Sequence, residues 1–582
     1  MKSFSISVLA AALLPALAAG DPENHSRQHQ PRAAQAVNFG AGTVLGRSFG
    51  SVETFSGIPY AKPPVGALRL KPPQRFNDTL NLFDATGTAA SCPQFTLSSE
   101  SSNIIIDTLG SLLSLPIFQP LNGQEDCLTL TVQRPAGTPP GAKLPVMLWI
   151  FGGGFEFGST SSYNAASFVR DGIDLKQPFI FVSVNYRLGG FGFLPGKEVL
   201  RDGSANLGIM DQRMGMEWVA DNIAAFGGDP DKVTIWGESA GAISVFDQMA
   251  LFDGDNKYKG RPLFRGAIMN SGSVVPADPV DCPKGQVIYD TVVKAAGCAG
   301  SANTLDCLRN VDYDTYLRAA ATVPSILSRE SLALSYVPRP DGVMLRDSPD
   351  ILSKNGRYAA VPMIIGNQED EGTVFALFQP EVATTTQLVD YLSELYFHNA
   401  SRDQLTTLVN TYDSRITEGS PFRTGIFNEL SPGFKRRAAI LGDLVFILAR
   451  RSFLSVAKAR NPSVPAWSYL NSYNFGTPMV GTFHASDIMQ NFFGVFPTFA
   501  RQTTRTYYLN FLYNQDPNVG TQGLVRWPEW SEDQQLLWWF SDRVAYLKDD
   551  FRGSSFDFIF KNMASLNFRD EVNSTALPRW TI

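Results

Sequence analysis

The sequence predicts an α/β fold in which a mostly parallel central sheet is covered by helices on both faces. Strands of buried character recur along the chain, and helices and long excursions separate them. Pro and Gly are scattered, so no linker divides the chain. A chain of 582 residues could hold two or three average domains, but α/β domains of this kind also grow by insertion. We therefore predict a single domain over residues 37–582.

The first residues predict a signal peptide, residues 1–20, which is not part of the fold. Lys2 precedes an apolar run that ends in small residues at Ala16, Ala18 and Gly20. The run is short for a membrane anchor, and no basic stop follows it. Residues 21–36 are polar and predict a flexible leader. The mature protein is expected to be secreted and to have no stable membrane anchor.

The predicted strands follow one another as runs of apolar and β-branched residues. They are residues 144–151, 178–186, 232–236, 265–269, 361–366 and 466–470. A small antiparallel start is expected within 42–73, where apolar residues alternate before a Pro-rich run. Apolar residues at helical spacing predict helices over 208–226 and 240–250.

A turn between a predicted strand and a predicted helix contains the first candidate for chemistry. The strand 232–236 is followed by GESAG at 237–241, a G-x-S-x-G sequence. Small residues on both sides of Ser239 allow a tight turn that exposes its hydroxyl and leaves the Ala240 N–H at the positive end of a helix. The same pattern also occurs by chance as a turn with a capping serine. The strand–turn–helix context favours a nucleophile.

Two stretches resemble the signatures of the type-B carboxylesterase/lipase family. They are FGGDPDKVTIWGESAG at 226–241 and EDCLTL at 125–130. The resemblance extends from about Val44 to the C-terminus and is greatest to secreted fungal lipases of the Candida and Geotrichum type. It implies an α/β-hydrolase fold with large insertions, and hydrolysis of carboxylic esters by a serine nucleophile.

A serine nucleophile needs a base, and the chain contains four histidines. His25 and His29 lie in the polar leader, and His398 adjoins a glycosylation sequon, which leaves His484 as the predicted base. A hydrogen-bonded loop histidine is the ordinary alternative. The surrounding GTFHASD at 481–487 resembles the family segment G-T-x-H-x-x-D, which contains the base.

The acid that orients the histidine is expected between the serine and His484, in the chain order of this fold. Three consecutive carboxyl groups follow a predicted buried strand: Glu369, Asp370 and Glu371. Neighbouring carboxylates repel unless they point in different directions, and a solvated acidic turn fits the same sequence. The residues alone do not choose among the three. Resemblance to the family motif D-E-G-T implies Glu371.

Glycines after the strand 144–151 are candidates for stabilising the negative charge that develops on an ester oxygen. The run FGGGF at 151–155 has N–H groups that a ligand can approach closely. It matches no nucleotide-phosphate loop, and a loop that merely needs positive φ is the alternative. The resemblance implies Gly153, Gly154 and Ala240 as the three donors. No metal or organic cofactor is expected.

Five cysteines in a secreted chain predict disulfide bonds. Sequence proximity suggests Cys298 with Cys307, whereas the pair Cys92 and Cys127 is implied by the family resemblance and leaves Cys282 unpaired. Candidates for glycosylation are the sequons at Asn24, Asn77, Asn399 and Asn573.

The segment between Cys92 and Cys127 is the predicted lid, over about residues 93–126. Residues 108–124 carry no charge, and isoleucines and leucines make 104–115 strongly apolar. Exposed surface of that kind meets lipid or covers a pocket, and it resembles the fungal lipase lid in position. A core-packed excursion is the alternative. Phe375 and Phe378 are weaker candidates for the wall of an acyl pocket.

These features predict a secreted serine hydrolase that cleaves carboxylic esters of acyl glycerols at an oil–water interface, through an acyl-enzyme on Ser239. A general carboxylesterase or sterol esterase with the same residues is the alternative within this class. A non-catalytic adhesion module is disfavoured because the nucleophile, acid and base are all present. A net charge of −6 gives no indication of nucleic acid as a partner.

Overall fold

The computed structural model of the protein describes residues 32–33, 36–95, 123–493, 498–520, 523–531, 535–562 and 566. The predicted signal peptide at 1–20, most of the predicted leader at 21–36 and most of the predicted lid at 93–126 lie outside the described residues. The sequons at Asn24 and Asn573 also lie outside them, whereas Asn77 and Asn399 are exposed.

The strands of the described residues form three sheets. Their bounds are β1 Arg32–Ala33, β2 Val37–Phe39, β3 Gly42–Leu45, β4 Arg47–Phe49, β5 Val52–Pro59, β6 Asn81–Asp84, β7 Thr129–Pro135, β8 Leu144–Ile150, β9 Ile180–Val184, β10 Gly228–Glu238, β11 Lys257–Tyr258, β12 Arg261–Pro262, β13 Gly266–Asn270, β14 Met363–Gln368, β15 Ala466–Asn471, β16 Gln535–Trp539 and β17 Val544–Lys548.

The large sheet has the strand order β1-β4-β5-β7-β9-β8-β10-β13-β14-β15-β16-β17. From β9 to β16 every neighbouring pair is parallel, and antiparallel pairs occupy the two edges. Strands β8, β9, β13, β14 and β15 are buried along nearly their whole length, as expected of parallel strands covered by other elements. The predicted α/β-hydrolase fold with a mostly parallel sheet is confirmed.

Helices surround this sheet and fill the long excursions between strands. The α-helices are α1 Ala166–Asp174, α2 Gly189–Phe193, α3 Lys197–Asp202, α4 Leu207–Asn222, α5 Ala240–Ala250, α6 Pro283–Ala295, α7 Thr304–Asn310, α8 Tyr313–Ala320, α9 Pro349–Lys354, α10 Thr385–Leu395, α11 Arg402–Asn410, α12 Phe434–Gly442, α13 Leu448–Arg460, α14 Ser486–Ile488, α15 Thr498–Asn514 and α16 Gly553–Lys561. Short 3₁₀ turns cover Gly66–Leu68, Thr160–Ser162, Ile223–Phe226, Leu251–Gly254 and Phe375–Phe378, and π-turns cover Asp443–Ile447 and Met489–Phe493.

An aromatic cluster joins the two central strands, β8 and β10, below their carboxyl ends. The rings of Trp149 and Trp236 are 4.4 Å apart, and Phe492 stacks on Trp236 at 5.3 Å. Edge-to-face and stacked pairs of this kind each contribute about 0.5–1.5 kcal/mol beyond their buried area. Because the chain leaves β8 toward the candidate oxyanion glycines and leaves β10 at Ser239, this packing holds the two loops in register.

Two disulfides link cysteines in the part of the chain that the structure describes. They are Cys92–Cys127 and Cys298–Cys307. Cys282 is buried and unpaired, and its Sγ accepts a hydrogen bond from the Gly285 N–H at the start of α6. Among the described helices, we find none with the length and apolar character to cross a bilayer.

Candidate active site

Ser239 occupies a strained turn between the end of β10 and the start of α5. Its backbone has φ 56° and ψ −126°, a conformation that costs a non-glycine residue about 1–3 kcal/mol. The turn closes because the neighbouring glycine has no side chain: a Cβ added at Gly241 would lie 2.1 Å from the Ile150 carbonyl oxygen. The Ser239 N–H donates to the Asn270 carbonyl of β13 at 2.9 Å. The surrounding strands therefore hold the serine in this conformation.

The structure brings His484 and Glu371 together. The histidine follows β15 and the glutamate follows β14, and His484 Nδ1 lies 2.6 Å from Glu371 Oε2. The other Glu371 oxygen accepts hydrogen bonds from the Gln368 N–H at 2.8 Å and from Asn367 Nδ2 at 3.2 Å. Three donors therefore fix this carboxylate, which in turn fixes the orientation of the imidazole.

The neighbours of Glu371 point away from the histidine. Glu369 forms an ion pair with Arg423, with Oε1 2.9 Å from the guanidinium Nε. Asp370 accepts hydrogen bonds from Ser420 Oγ and from the N–H groups of Phe422 and Thr482. Each of the three consecutive carboxyl groups thus has a separate set of partners, and Glu371 is the one that contacts the histidine.

The imidazole of His484 packs against two aromatic rings. The rings of Phe446 and Phe375 lie 4.6 Å and 5.0 Å from it. Its Nε2 is 3.4 Å from Oε1 of Glu238, the residue before Ser239. Nε2 is buried and makes no hydrogen bond to a described residue. Ser239 and Nε2 therefore form no hydrogen bond in this structure, and the nitrogen has no hydrogen-bond partner among the described residues.

Two further carboxyl groups, Glu238 and Asp487, surround this histidine. Burial, with the nearby charges of Asp487 and Glu371, raises the pKa of Glu238 well above its usual value, which favours its protonated form. Burial also raises the pKa of Asp487 to about 6, although its carboxylate accepts a hydrogen bond from Asn270 Nδ2 at 2.6 Å. The sequence interpretation assigned no role to either, although both lie inside the motifs that it quoted.

The glycines after β8 lie against the serine turn. A Cβ at Gly152 would come within 2.9 Å of the Ser239 Cβ, so this loop can approach the nucleophile only without a side chain. Gly153 and Gly154 both have positive φ, 98° and 62°. Gly154, Ser239 and Ala240 line the same cavity. The free N–H groups at the start of α5 and the glycine turn could together bind a developing oxyanion.

A cavity of about 210 Å³ extends from Ser239 into the protein. Its wall is mostly apolar. Contributing side chains include Ile243, Ile326, Leu332, Val445, Phe446 and Leu448. Phe446 contributes to this wall, whereas Phe375 packs against the imidazole. Neither Phe375 nor Phe378 lines the cavity, so the expectation that they form the wall of an acyl pocket is wrong. Such a cavity suits an apolar group joined to the reacting carbonyl.

The two ends of the predicted lid are anchored beside the glycine loop. The Gln124 N–H donates to the Ser91 carbonyl at 2.9 Å, next to the Cys92–Cys127 disulfide. The Phe95 N–H donates to the carbonyl of Glu156, two residues after Gly154. The lid itself lies outside the described residues and stays a prediction.

We find no cluster of three or more His, Cys, Asp or Glu side chains suited to a metal ion within the described ranges. The site is built from a serine, an imidazole, carboxyl groups and backbone N–H groups. The residue before the serine lies against a histidine that is itself held by a carboxylate, and a serine that reaches such a histidine suits nucleophilic acyl transfer.

Comparisons with known proteins agree with this chemistry. A sequence model described as "Carboxylesterase family" matches residues 33–558. The chain is 58% identical to the Secreted triacylglycerol lipase LIP1 of Gibberella zeae over 540 residues, which are 92% of each protein. It is 45% identical to Lipase 4 of Diutina rugosa, over 90% of this chain and 95% of that protein.

A solved structure shows the same fold. The crystal structure of Aspergillus niger EstA superposes with a TM-score of 0.77 and covers 92% of this chain and 99% of that one. At 24% sequence identity, this likeness supports the fold alone.

Proposed function

The chain belongs to the carboxylesterase family, and from that premise we propose that it is a secreted triacylglycerol lipase that forms an acyl-enzyme on Ser239. As in its family, the reaction is hydrolysis of a carboxylic ester. The observation that carries the choice of substrate is the apolar cavity that begins at Ser239, because a long acyl chain fills such a space. The names of the two relatives above support the same choice.

In the proposed mechanism His484 acts first as base and then as acid. Its Nε2 takes the proton of Ser239 while the hydroxyl oxygen attacks the ester carbonyl. Glu371 holds Nδ1–H and stabilises the imidazolium that results. The imidazolium then protonates the leaving alcohol. Water repeats the cycle and releases the fatty acid.

The negative charge of each tetrahedral intermediate falls on the former carbonyl oxygen. We assign its stabilisation to the N–H groups of Gly153, Gly154 and Ala240. Fixed donors of this kind need no reorganisation during the reaction, and loss of one typically costs about 10²–10³ in kcat.

Replacing the nucleophile tests the proposal directly. Ser239→Ala should lower kcat by about a millionfold, the scale seen when comparable triads lose their serine. The fold should survive, because the hydroxyl faces the cavity. A fluorophosphonate probe should label wild-type protein at Ser239 alone, as mapped by peptide mass spectrometry. Labelling at any other serine would refute the assignment.

A substrate panel separates a lipase from a general carboxylesterase or a sterol esterase. We expect emulsified triolein to be hydrolysed faster than a cholesteryl ester, and long-chain p-nitrophenyl esters to be hydrolysed at least as well as short ones. Preference for short soluble esters, with no hydrolysis of triolein, would assign the chain to the esterases and leave the roles of Ser239, Glu371 and His484 intact.

The predicted lid gives a kinetic test at an interface. If residues 103–118 cover the cavity in water, opening exposes apolar area at about 25 cal/mol per Å², and a few hundred Å² would cost several kcal/mol. Lipid removes that cost, so the rate should rise when a partly soluble ester passes its solubility limit. Leu109→Asp combined with Leu113→Asp should blunt the rise and spare activity on soluble short-chain esters. Smooth saturation in the wild type would argue for a static pocket.

A further inference from the structure

A buried carboxyl group without a partner lies on the cavity wall, away from the catalytic residues. Asp247 is on α5, eight residues after Ser239, and is 1% exposed. Neither of its carboxyl oxygens makes a hydrogen bond to a residue that the structure describes. Both Asp247 and Ser239 line the same cavity. A buried polar atom without a partner costs about 1–3 kcal/mol, so its presence needs an explanation.

The other charged side chains on this wall already have partners. Lys284 Nζ donates to the Ala333 carbonyl at 3.1 Å, and Asp350 Oδ1 accepts from Ser348 Oγ at 2.5 Å. Asp247 forms no ion pair with a described residue. Burial raises its pKa to about 8, so that the carboxyl is mostly protonated at neutral pH. A protonated carboxyl both donates and accepts hydrogen bonds. It therefore suits a neutral polar group better than a cation.

A second unpartnered polar atom lies on the same cavity wall as Asp247. Ser452 Oγ, on α13, is buried, lines the cavity and makes no hydrogen bond to a described residue. The residues next to them in sequence, Phe246 and Phe453, have rings 4.9 Å apart, so α5 and α13 are in contact here. The mostly apolar wall of the cavity thus includes unpartnered polar atoms on α5 and on α13.

The position of this site along α5 defines its distance from the reacting carbonyl. Eight residues of helix rise about 12 Å. An extended chain advances about 1.2 Å per bond, since three backbone bonds span at most about 3.6 Å, so 12 Å corresponds to roughly ten bonds. An acyl chain attached to Ser239 and running along α5 would bring a carbon near its tenth position to Asp247.

We propose that the cavity binds long acyl chains that carry a hydroxyl group near the tenth carbon, and that Asp247 recognises this hydroxyl by hydrogen bonding. Ser452 supplies a second polar contact. The proposal rests on the proposed function, because it takes Ser239 as the point at which the acyl group is attached. The substrate class is the esters of mid-chain hydroxy fatty acids.

Recognition at this depth should appear in kcat/KM. Binding of a remote group increases kcat/KM when it is retained in the transition state. A plain chain leaves Asp247 and Ser452 unpaired, whereas a hydroxyl pairs with them. One such hydrogen bond is worth up to about 1.5 kcal/mol, which is about tenfold in rate.

The test compares three p-nitrophenyl esters of eighteen-carbon acids: unsubstituted, 10-hydroxy and 3-hydroxy. The last two are isomers, so they match in composition and differ only in where the hydroxyl lies. We expect wild-type kcat/KM to be about tenfold higher for the 10-hydroxy ester than for the other two. p-Nitrophenyl butyrate, which is too short to reach Asp247, reports on the catalytic residues alone.

Variants of Asp247 test whether its carboxyl causes the preference for the 10-hydroxy ester. Asp247→Leu should abolish the preference for the 10-hydroxy ester, and Asp247→Asn, which keeps a donor and an acceptor, should retain most of it. Asp350→Asn is the matched control, a partnered carboxyl on the same wall, and should keep the wild-type ratio. Asp247→Leu should also raise the Tm of the free protein, because it removes an unpaired buried polar group. If the leucine variant does not fold, Asp247→Val serves as the test variant in its place.

Three outcomes would overturn the proposal. Equal wild-type rates on the three esters would mean that Asp247 binds only water. A preference that persists in Asp247→Leu would place recognition elsewhere. A lowered Tm in both Asp247→Leu and Asp247→Asn would make the carboxyl a structural element. Failure of the proposed function is distinguishable, since wild type would then be inactive on butyrate and on all three long esters.

Discussion

Two clusters of buried charge in this protein have opposite effects on their carboxyl groups. At the edge of the sheet, Asp549 accepts hydrogen bonds from Arg450 at 2.7 Å and from Arg451 at 3.0 Å, and all three side chains are at most 1% exposed. Burial alone would raise the pKa of Asp549, but the two guanidinium groups outweigh it and hold the pKa at about 2.

At the candidate active site the balance is reversed. Glu238, Glu371 and Asp487 surround one imidazole, that of His484, so carboxyl groups outnumber the cation that could pair with them. The pKa of Glu238 is raised well above its usual value and that of Asp487 to about 6. The carboxyl groups of both clusters are buried. The charge of the neighbours, and not depth, therefore determines which buried acids stay ionised.

The largest effect should come from the acid that is hydrogen-bonded to the histidine. Glu371→Gln should lower kcat by about 10⁴-fold, because a neutral amide no longer fixes the imidazole tautomer or stabilises the imidazolium. Initial rates on p-nitrophenyl butyrate measure the loss.

Its neighbours provide matched controls. Glu369→Gln loses an ion pair with Arg423, and Asp370→Asn alters hydrogen bonds to a loop, but neither contacts His484. Each should cost far less activity than Glu371→Gln. If either control were as damaging while Glu371→Gln were mild, the acid would be misassigned.

In the cluster where two arginines balance Asp549, loss of the carboxylate should affect stability and not catalysis. Asp549→Asn leaves two buried guanidinium groups without a charged partner, and breaking a buried pair in this way typically costs about 3–5 kcal/mol of unfolding free energy. Urea unfolding measures it, and kcat of the folded enzyme should change little.

The pH dependence of the same cluster follows from its lowered pKa. The folded protein binds the Asp549 proton less readily than the unfolded chain, whose pKa is about 3.8. The stabilisation is therefore present above pH 4 and is lost as the pH falls toward 2. A stability difference between wild type and Asp549→Asn that did not shrink in this range would contradict the assignment.

The smallest effect concerns Glu156, a buried acid next to the glycine loop that forms no ion pair with a described residue. Burial raises its pKa from 4.5 to about 8, although one oxygen accepts the Ile326 N–H. The folded state keeps this proton longer than the unfolded chain, so wild-type stability should fall as pH rises from about 4.5 to 8. Glu156→Gln, which stays neutral, should remove this dependence on pH and be more stable than wild type at pH 9.

An exposed glutamate gives the control for this measurement. Glu381 pairs with Arg329 at the surface, and Glu381→Gln should leave the pH slope unchanged. Unfolding in urea at pH 5 and pH 9 compares the three proteins. Equal pH slopes for wild type and Glu156→Gln would show that Glu156 is ionised in the folded state.

Much of the central sheet could be predicted because its strands are continuous apolar runs. The helix predicted over 240–250 agrees with α5, Ala240–Ala250, and the strand predicted over 144–151 agrees with β8 to within a residue. The strands β7, β16 and β17 were missed. Length is not the reason, since strands of five residues were predicted elsewhere, but β17 is partly exposed along its length and lacks the buried character on which the predictions depended.

The residues of the candidate site were harder to predict from the sequence than the fold was. His484 could be found by elimination, but choosing Glu371 over its neighbours needed either the family resemblance or the direction of each side chain. Asp247 follows Ser239 and Ile243 at helical spacing, so the sequence places all three on one face of α5. Only the folded chain shows that this face borders a cavity, because helices distant in sequence form the opposite wall.

The disulfide between Cys92 and Cys127 also affects how the protein responds to proteolysis. It closes a covalent ring that contains the whole of the predicted lid, with the two cysteines separated by 35 positions. A protease that cuts one peptide bond inside this ring leaves both fragments joined. The cut protein would migrate as one species without reductant and as two with it. Its catalytic residues, all beyond Cys127, would remain on a single uninterrupted fragment.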